Sequence, residues 1–294
     1  MYRSVFLNCS GSNILTTLGS LDRLKHQTEN IIIWNVCGNA SLILFFKLLG
    51  LTAKQTFDKL KNLEIINSLI NGHSLFPEDD EEKKEYILDY LKKQFKNNIL
   101  KEDTTLEEVK NITNIQSSFI VWNRTKEIIE NLNYKDNPHF KLIDCIMATL
   151  TNIGVFKTYD IFENSYSSLE TIECFPVSYS FFLNIEELLY LVNITTFIKE
   201  YSSGNNLGPL KEIEDEFLLQ KTEYLKFRVK NTCKALPHNE NICKLFSIFS
   251  RGNSTEEEKI SLYNLGQKQA SSFLKKEDTY IAYKNYLETV FSQK

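Results

Sequence analysis

Two side chains of this 294-residue chain stand where nucleophilic chemistry is commonly built, at the junction of an apolar run and a helix. Ile31–Val36 (IIIWNV) leads into Cys37-Gly38-Asn39-Ala40-Ser41-Leu42, and Ser41–Leu49 is apolar nearly all round. A hydroxyl or thiol at a strand-to-helix turn lies near the positive end of the helix dipole, which lowers a thiol pKa and favours a developing oxyanion. Ser41 and Cys37 are therefore the side chains to weigh as nucleophiles. Either needs an adjacent base. None of the four histidines (His26, His73, His139, His238) is close to them in sequence. Asp144 lies in an apolar helical stretch and reads as a helix-surface or capping acid, and Glu170 has nothing to activate without a nucleophile. Cys233, His238 and Cys243 fall within eleven residues, at a spacing that fits no structural zinc pattern.

The elements that would position these groups alternate. Ser4–Leu7 is a short apolar strand closed by the small polar stretch Asn8–Asn13. Ile14, Leu15, Leu18, Leu21 and Leu24 recur at helical spacing over Ile14–Lys25. The β-branched run Ile31–Val36 predicts a buried strand. Gly50 ends the apolar helix as a C-cap would, and Thr52 caps a helix over Ala53–Leu63. A charged start, PEDDEEKKE at Pro77–Glu85, opens a helix over Lys84–Asn97. Thr104 or Thr105 followed by Glu107 or Glu108 predicts a capped short helix. Ile115–Trp122 reads as a strand, Phe140–Leu150 as a helix and Phe156–Ile161 as extended. Trp34 and Trp122 fall in strands and read as core. Strand–helix alternation to about residue 180 predicts parallel βαβ units and a layered α/β fold. Residues 181–294 read as mostly helical, with a loop at Asn205–Pro209 and a capped amphipathic helix over Ser254–Leu274.

Composition narrows the class. Hydrophobic content of 42% with 24% charged residues is that of a globular protein. With 34 basic and 38 acidic side chains the net charge is −4, which disfavours a dedicated nucleic-acid binder. No apolar run is long enough to span a bilayer, and the N-terminus has no signal-peptide pattern. The six scattered cysteines are expected as reduced, buried thiols in a cytoplasmic setting. Neither a cofactor nor a metal is expected.

Three segments, taken in order, resemble the patatin-like phospholipase family. The first is SVFL followed by Asn8-Cys9-Ser10-Gly11-Ser12-Asn13-Ile14 and then Gly19-Ser20-Leu21. The second is IIIWNV followed by Cys37-Gly38-Asn39-Ala40-Ser41-Leu42 and then Lys47-Leu48-Leu49-Gly50-Leu51. The third is Asp144-Cys145-Ile146-Met147-Ala148-Thr149, then Val155-Phe156 and Phe175-Pro176-Val177. Glu256–Phe273 is similar to the closing helix of some members. The resemblance implies a three-layer α/β/α sandwich with a central, mostly parallel sheet and a helical C-terminal part, formed as one domain over 1–294 with its core in 1–180.

In that family a Gly-rich loop supplies the oxyanion hole, a G-x-S-x-G elbow presents the serine, and a D-G-[GA] aspartate is its base. A preorganised oxyanion donor is worth about 10²–10³ in rate. This sequence departs at each motif. The alignment puts Cys9–Ile14 on the Gly-rich loop with only Gly11 retained, Ala40 at the nucleophile position, Leu42 at the last elbow glycine, and Ser168 near the aspartate. Ser41 is one step along the helix, turned by about 100° from the tip. No catalytic residue is therefore assigned. The expected function is a catalytically inactive patatin-like protein acting as a structural or regulatory subunit, with a protein partner such as an active paralogue or a larger assembly. The alternatives are a lipid acyl hydrolase using Ser41 or Cys37, and a lipid-binding module whose acyl groove is the aromatic segment Phe175–Phe182 (FPVSYSFF). The Asn-, Lys- and Ile-rich composition suggests an AT-rich genome and with it a viral or parasite origin, with the protein in the host cytoplasm or the virion.

Overall fold

The computed structural model describes residues 2–9, 13–61, 80–151, 158–169, 188–192, 234–235 and 255–292. The first half follows the expected alternation. Strand β1 (Ser4–Cys9) is followed by α1 (Asn13–Arg23) and the short α2 (Lys25–Thr28). Strand β2 (Ile33–Gly38) is followed by α3 (Ala40–Leu48), α4 (Ala53–Leu60), α5 (Asp80–Gln94) and α6 (Leu106–Thr113). Next come β3 (Gln116–Asn123), β4 (Ile128–Asn133), α7 (Leu142–Leu150), β5 (Tyr159–Ile161) and β6 (Asn164–Ser168). Strands β7 (Leu188–Val192) and β8 (Lys234–Ala235) precede the long helix α8 (Glu256–Ser292).

The eight strands among the described residues belong to one open, mixed sheet ordered β5-β6-β3-β2-β1-β7-β8, with β4 paired to β3. The neighbours β3–β2, β2–β1, β1–β7 and β7–β8 are parallel, and β4, β6 and β5 add antiparallel pairings at one side. β1 and β2 lie in the middle with all twelve residues buried, as strands covered on both faces must be. The C-terminal portion contains the expected helix and also β7, which pairs with β1 in the centre of the sheet. Sequence reasoning assigned that segment to a helical region.

Local signals account for most helix ends. Gly50 adopts φ +85°, with its N–H donating to the Lys47 carbonyl (3.0 Å) and the Leu51 N–H donating to Phe46 (2.9 Å). This pair of bonds is a Schellman cap, and the left-handed residue within it favours glycine. Thr52 and Gln55 form a capping box on α4, and Thr105 and Glu108 form another on α6. On α8 the Thr255 N–H donates to Glu258 (2.8 Å) while the Glu258 N–H donates to the Thr255 hydroxyl (3.2 Å).

Helices α1, α3 and α7 form a layer against β1, β2, β3 and β6. Outside it, α8 crosses α1 backbone to backbone. A Cβ added at Gly19 would lie 1.9 Å from the Tyr263 carbonyl oxygen, and one at Gly266 would lie 1.9 Å from that of Thr16. The Ser20 hydroxyl donates to the Gly266 carbonyl (3.1 Å), Arg23 to the Ser271 hydroxyl (2.8 Å) and Gln267 to Asp22 (2.9 Å). Leu262, Tyr263, Ala270 and Phe273 close the apolar face of α8, and Tyr263 stacks on Phe57 with ring centres 4.3 Å apart. Among the described residues, no single helix is long and apolar enough to cross a membrane.

Candidate functional site

The strand-to-helix turn after β2 is where the scaffold would present a nucleophile. Buried apolar residues hold both sides of it, because β2 is central in the sheet and every residue of α3 except Lys47 is buried. β1 ends beside it. Cys9 is paired with Gly38, and the Asn39 N–H donates to the Cys9 carbonyl (3.1 Å).

The turn itself has its left-handed residue at Gly38, with φ +61°. Asn39 follows in right-handed conformation at φ −62°, and Ala40 is already the first residue of α3. A nucleophile elbow owes its exposed side chain to the strained, sharp position of the turn. That position is occupied by Gly38, two residues before the Ala40 assigned from sequence, and glycine has no side chain to present. The corrected register leaves the turn without a hydroxyl at its tip, as the earlier one did.

Neither candidate nucleophile stands at the tip. Ser41 is the second residue of α3, fully buried, and its hydroxyl has no hydrogen-bond partner among the described residues. It neither caps the helix nor faces solvent. Cys37 is fully buried within β2, one residue short of the turn, and pairs across the sheet with Asn8. The three described cysteines, Cys9, Cys37 and Cys145, are buried and outside any disulfide, as expected. Burial, with Asp144 adding to it, raises the Cys145 thiol pKa well above the ordinary value. Of the histidines, His26 and His139 are described and both are exposed. The Asn39 side chain is buried beside Ser41, and both ends of its amide lack a partner among the described residues.

The position expected for the base can be placed by strand register. A strand has two edges. Ser118 and Phe119 of β3 pair with β4 on one edge and β2 on the other, while Val121–Asn123 pair with β4 and β6. β6 therefore continues the edge along which β2 lies. β2 pairs Val36 with Phe119, so Gly38 comes level with Val121, and Val121 is paired with Ser168. The sheet thus brings Ser168 to the end of β2, next to the turn. It offers a hydroxyl there, buried, and its N–H donates to both the hydroxyl and the carbonyl of Thr151.

Asp144 is elsewhere. It lies half-buried in the first turn of α7 and accepts a hydrogen bond from the Tyr159 hydroxyl (2.9 Å). Ser10, Gly11 and Ser12, Glu170, the Phe175–Phe182 segment, and Cys233, His238 and Cys243 lie outside the described residues. Among the described residues no group of three His, Cys, Asp or Glu side chains could hold a metal ion. The positive φ at Gly38 was the signal that sequence reasoning missed, since a glycine motif does not say which of its members carries the turn.

No family model matches the sequence, and no curated relative does. Solved structures do. VipD from Legionella pneumophila is similar over 94% of this chain and 67% of its own, at TM-score 0.57 and 12% identity. The complex of full-length SpcU with full-length ExoU, from the type III secretion system of Pseudomonas aeruginosa, contains a chain similar over 94% of this one at TM-score 0.50 and 9% identity. This chain covers 52% of the length of that one, about half. At these identities the likeness establishes the fold: a patatin-like α/β sandwich.

Proposed function

We propose that this chain is a catalytically inactive patatin-like protein that works as a structural or regulatory subunit through a protein partner. The observation that carries this reading is glycine at the left-handed position of the β2–α3 turn; it is supported by Ser168, a residue without a carboxylate, at the position that the alignment sets near the family's aspartate. Hydrolysis of an ester on this scaffold needs a nucleophile at that tip and a base within hydrogen-bonding reach of it. Ser41 and Cys37 are buried on either side of the tip. A partner-binding role is supported by the neighbour that was solved as a complex of ExoU with SpcU.

The test is direct. Purified protein is incubated with a serine-directed fluorophosphonate probe and, separately, with phospholipid vesicles and p-nitrophenyl esters. The expected result is no labelling and no turnover above a heat-denatured control. Turnover that disappears in Ser41→Ala or Cys37→Ala would overturn the proposal and establish an acyl hydrolase with an unusual nucleophile.

A further inference from the structure

The segment that leaves α5 carries Ile99, which is 73% exposed. Its neighbours are anchored. Phe95 and Leu100 are buried, and the Phe95 ring meets Phe45 of α3 edge-on with centres 5.2 Å apart. Asn97 takes the left-handed conformation, at φ +64°, as residues ending a helix commonly do. The Asn98 side chain donates to the Leu49 carbonyl (3.1 Å) and accepts from the Leu100 N–H (3.2 Å). A turn fixed on both sides thus presents an aliphatic side chain to solvent. Leu49 follows the last residue of α3, so the length of that helix, about 13 Å, separates this turn from the β2–α3 turn.

Lysines surround it. Residues 92–101 hold Lys92, Lys93, Lys96 and Lys101, all exposed, and no acidic residue. α4 adds Lys59, which donates to Gln94 at the end of α5 (2.9 Å). Past α5 the Lys96 N–H donates to the Lys93 carbonyl, a tighter turn that sets side chains three apart on one side. Lys101 donates to the Asn98 carbonyl (2.8 Å), and none of the five lysines makes an ion pair among the described residues. The C-terminus of α5 favours cations and accounts for Lys92 and Lys93. It does not account for Lys59 and Lys101, or for Ile99. Asp58, beside Lys59, is taken by Lys54 and Lys61. Asp89 before the segment and Glu102 and Asp103 after it are outnumbered by the lysines, which leaves a positive surplus here on a chain whose net charge is −4.

We infer that this turn seats the protein on an anionic phospholipid surface, with Ile99 inserted at the acyl boundary and the lysines around it set against the head groups. Ile99 selects a bilayer over other polyanions. An aliphatic side chain gains nothing from a phosphate backbone, and residues 92–101 expose no aromatic ring on which a base could stack. The surface is separate from the β2–α3 turn and stands whether or not that turn is catalytically inert.

The full chain is sedimented with vesicles of mixed phosphatidylserine and phosphatidylcholine and, separately, with vesicles of phosphatidylcholine alone, in about 0.1 M salt. The expected result is binding to the anionic vesicles that weakens as salt rises, and little to the neutral ones. Lys93→Gln with Lys96→Gln is expected to weaken it about 25-fold, at about fivefold per lysine, and Ile99→Ser about tenfold. Arg124→Gln removes an exposed cation on the β3–β4 turn and leaves binding unchanged. All of these positions are exposed, and urea unfolding of each variant separates a loss of binding from a loss of fold. Should the double variant fail to fold, Lys96→Gln alone decides, with about a fivefold loss expected. Absence of binding to the anionic vesicles, equal binding to the neutral ones, indifference to the lysine substitutions, or an equal loss with Arg124→Gln would overturn the inference. Binding that the lysine substitutions weaken and Ile99→Ser does not would mark a contact for soluble polyanions and also overturn it.

Discussion

At the α1–α8 crossing glycine is required by a neighbour, whereas at the β2–α3 turn it is required by a torsion angle. Gly19 and Gly266 have helical backbone, and each faces a carbonyl oxygen 1.9 Å from where its Cβ would be. Gly38 has φ +61°, a conformation any L-residue can reach at a cost of about 1–2 kcal/mol. The first region therefore forbids a side chain. The second merely taxes one. The two glycines of the crossing are held by packing, and the glycine of the turn by its backbone conformation alone.

Substitutions separate the two cases. The largest loss is expected for Gly266→Ala or Gly19→Ala, because backbone would have to move; about 3 kcal/mol or more is expected, read as a lowered midpoint in urea unfolding. A midpoint equal to that of the unmodified protein would show that the crossing is looser than its geometry implies. Gly38→Ser is expected to lose about 1–2 kcal/mol in the same measurement and to bring no esterase activity, because Ser168 supplies no carboxylate. A loss as large as that of Gly266→Ala would erase the distinction between the regions, and turnover by Gly38→Ser would show that a base is already in place.

A capped helix end provides a smaller yardstick. Thr105→Ala removes one hydroxyl from the capping box of α6 and is expected to lower stability by about 1 kcal/mol, measured against Gly38→Ser in the same buffer. The smallest effect concerns Glu130. Burial opposes its ionisation, but the Lys126 ammonium at 2.8 Å, Asn123 and the Tyr166 hydroxyl at 3.1 Å outweigh it and lower its pKa. A carboxylate whose folded pKa is depressed contributes stability above its unfolded value of about 4.3, lost as pH falls through the folded value. Glu130→Gln is expected to flatten the acid side of the stability profile below that pH and to leave the neutral side nearly flat. An unchanged acid limb would refute the assignment.

Much of this was legible in the chain. The spacing of Ile14, Leu15, Leu18, Leu21 and Leu24 describes α1, and Gly50, Thr52 and Thr105 punctuate their helices as their chemistry dictates. The hairpin β3–β4 was not seen, because Lys126, Glu127 and Glu130 break up its apolar pattern and its turn puts Glu127 at φ +56° with no glycine to announce it. β7 was missed for a different reason: LLYLV is a short apolar run that periodicity cannot distinguish from a buried helix. At the turn after β2 the motif was found but its register was two residues off, since residue types carry no torsion angles. The alignment set Ser168 near the family's aspartate by sequence order alone; its place in the sheet follows from strand register, which residue types do not carry.

The hydrogen bond from Ser20 to Gly266 spans 246 residues. At synthesis rates of about 5–20 residues per second, α1 leaves the ribosome roughly 12 to 50 seconds before the segment that covers it exists. Throughout that interval its glycine-bearing flank is bare on the nascent chain. The α1–α8 crossing is therefore made late, and α1 can reach its final packing only after that distant segment has been synthesised.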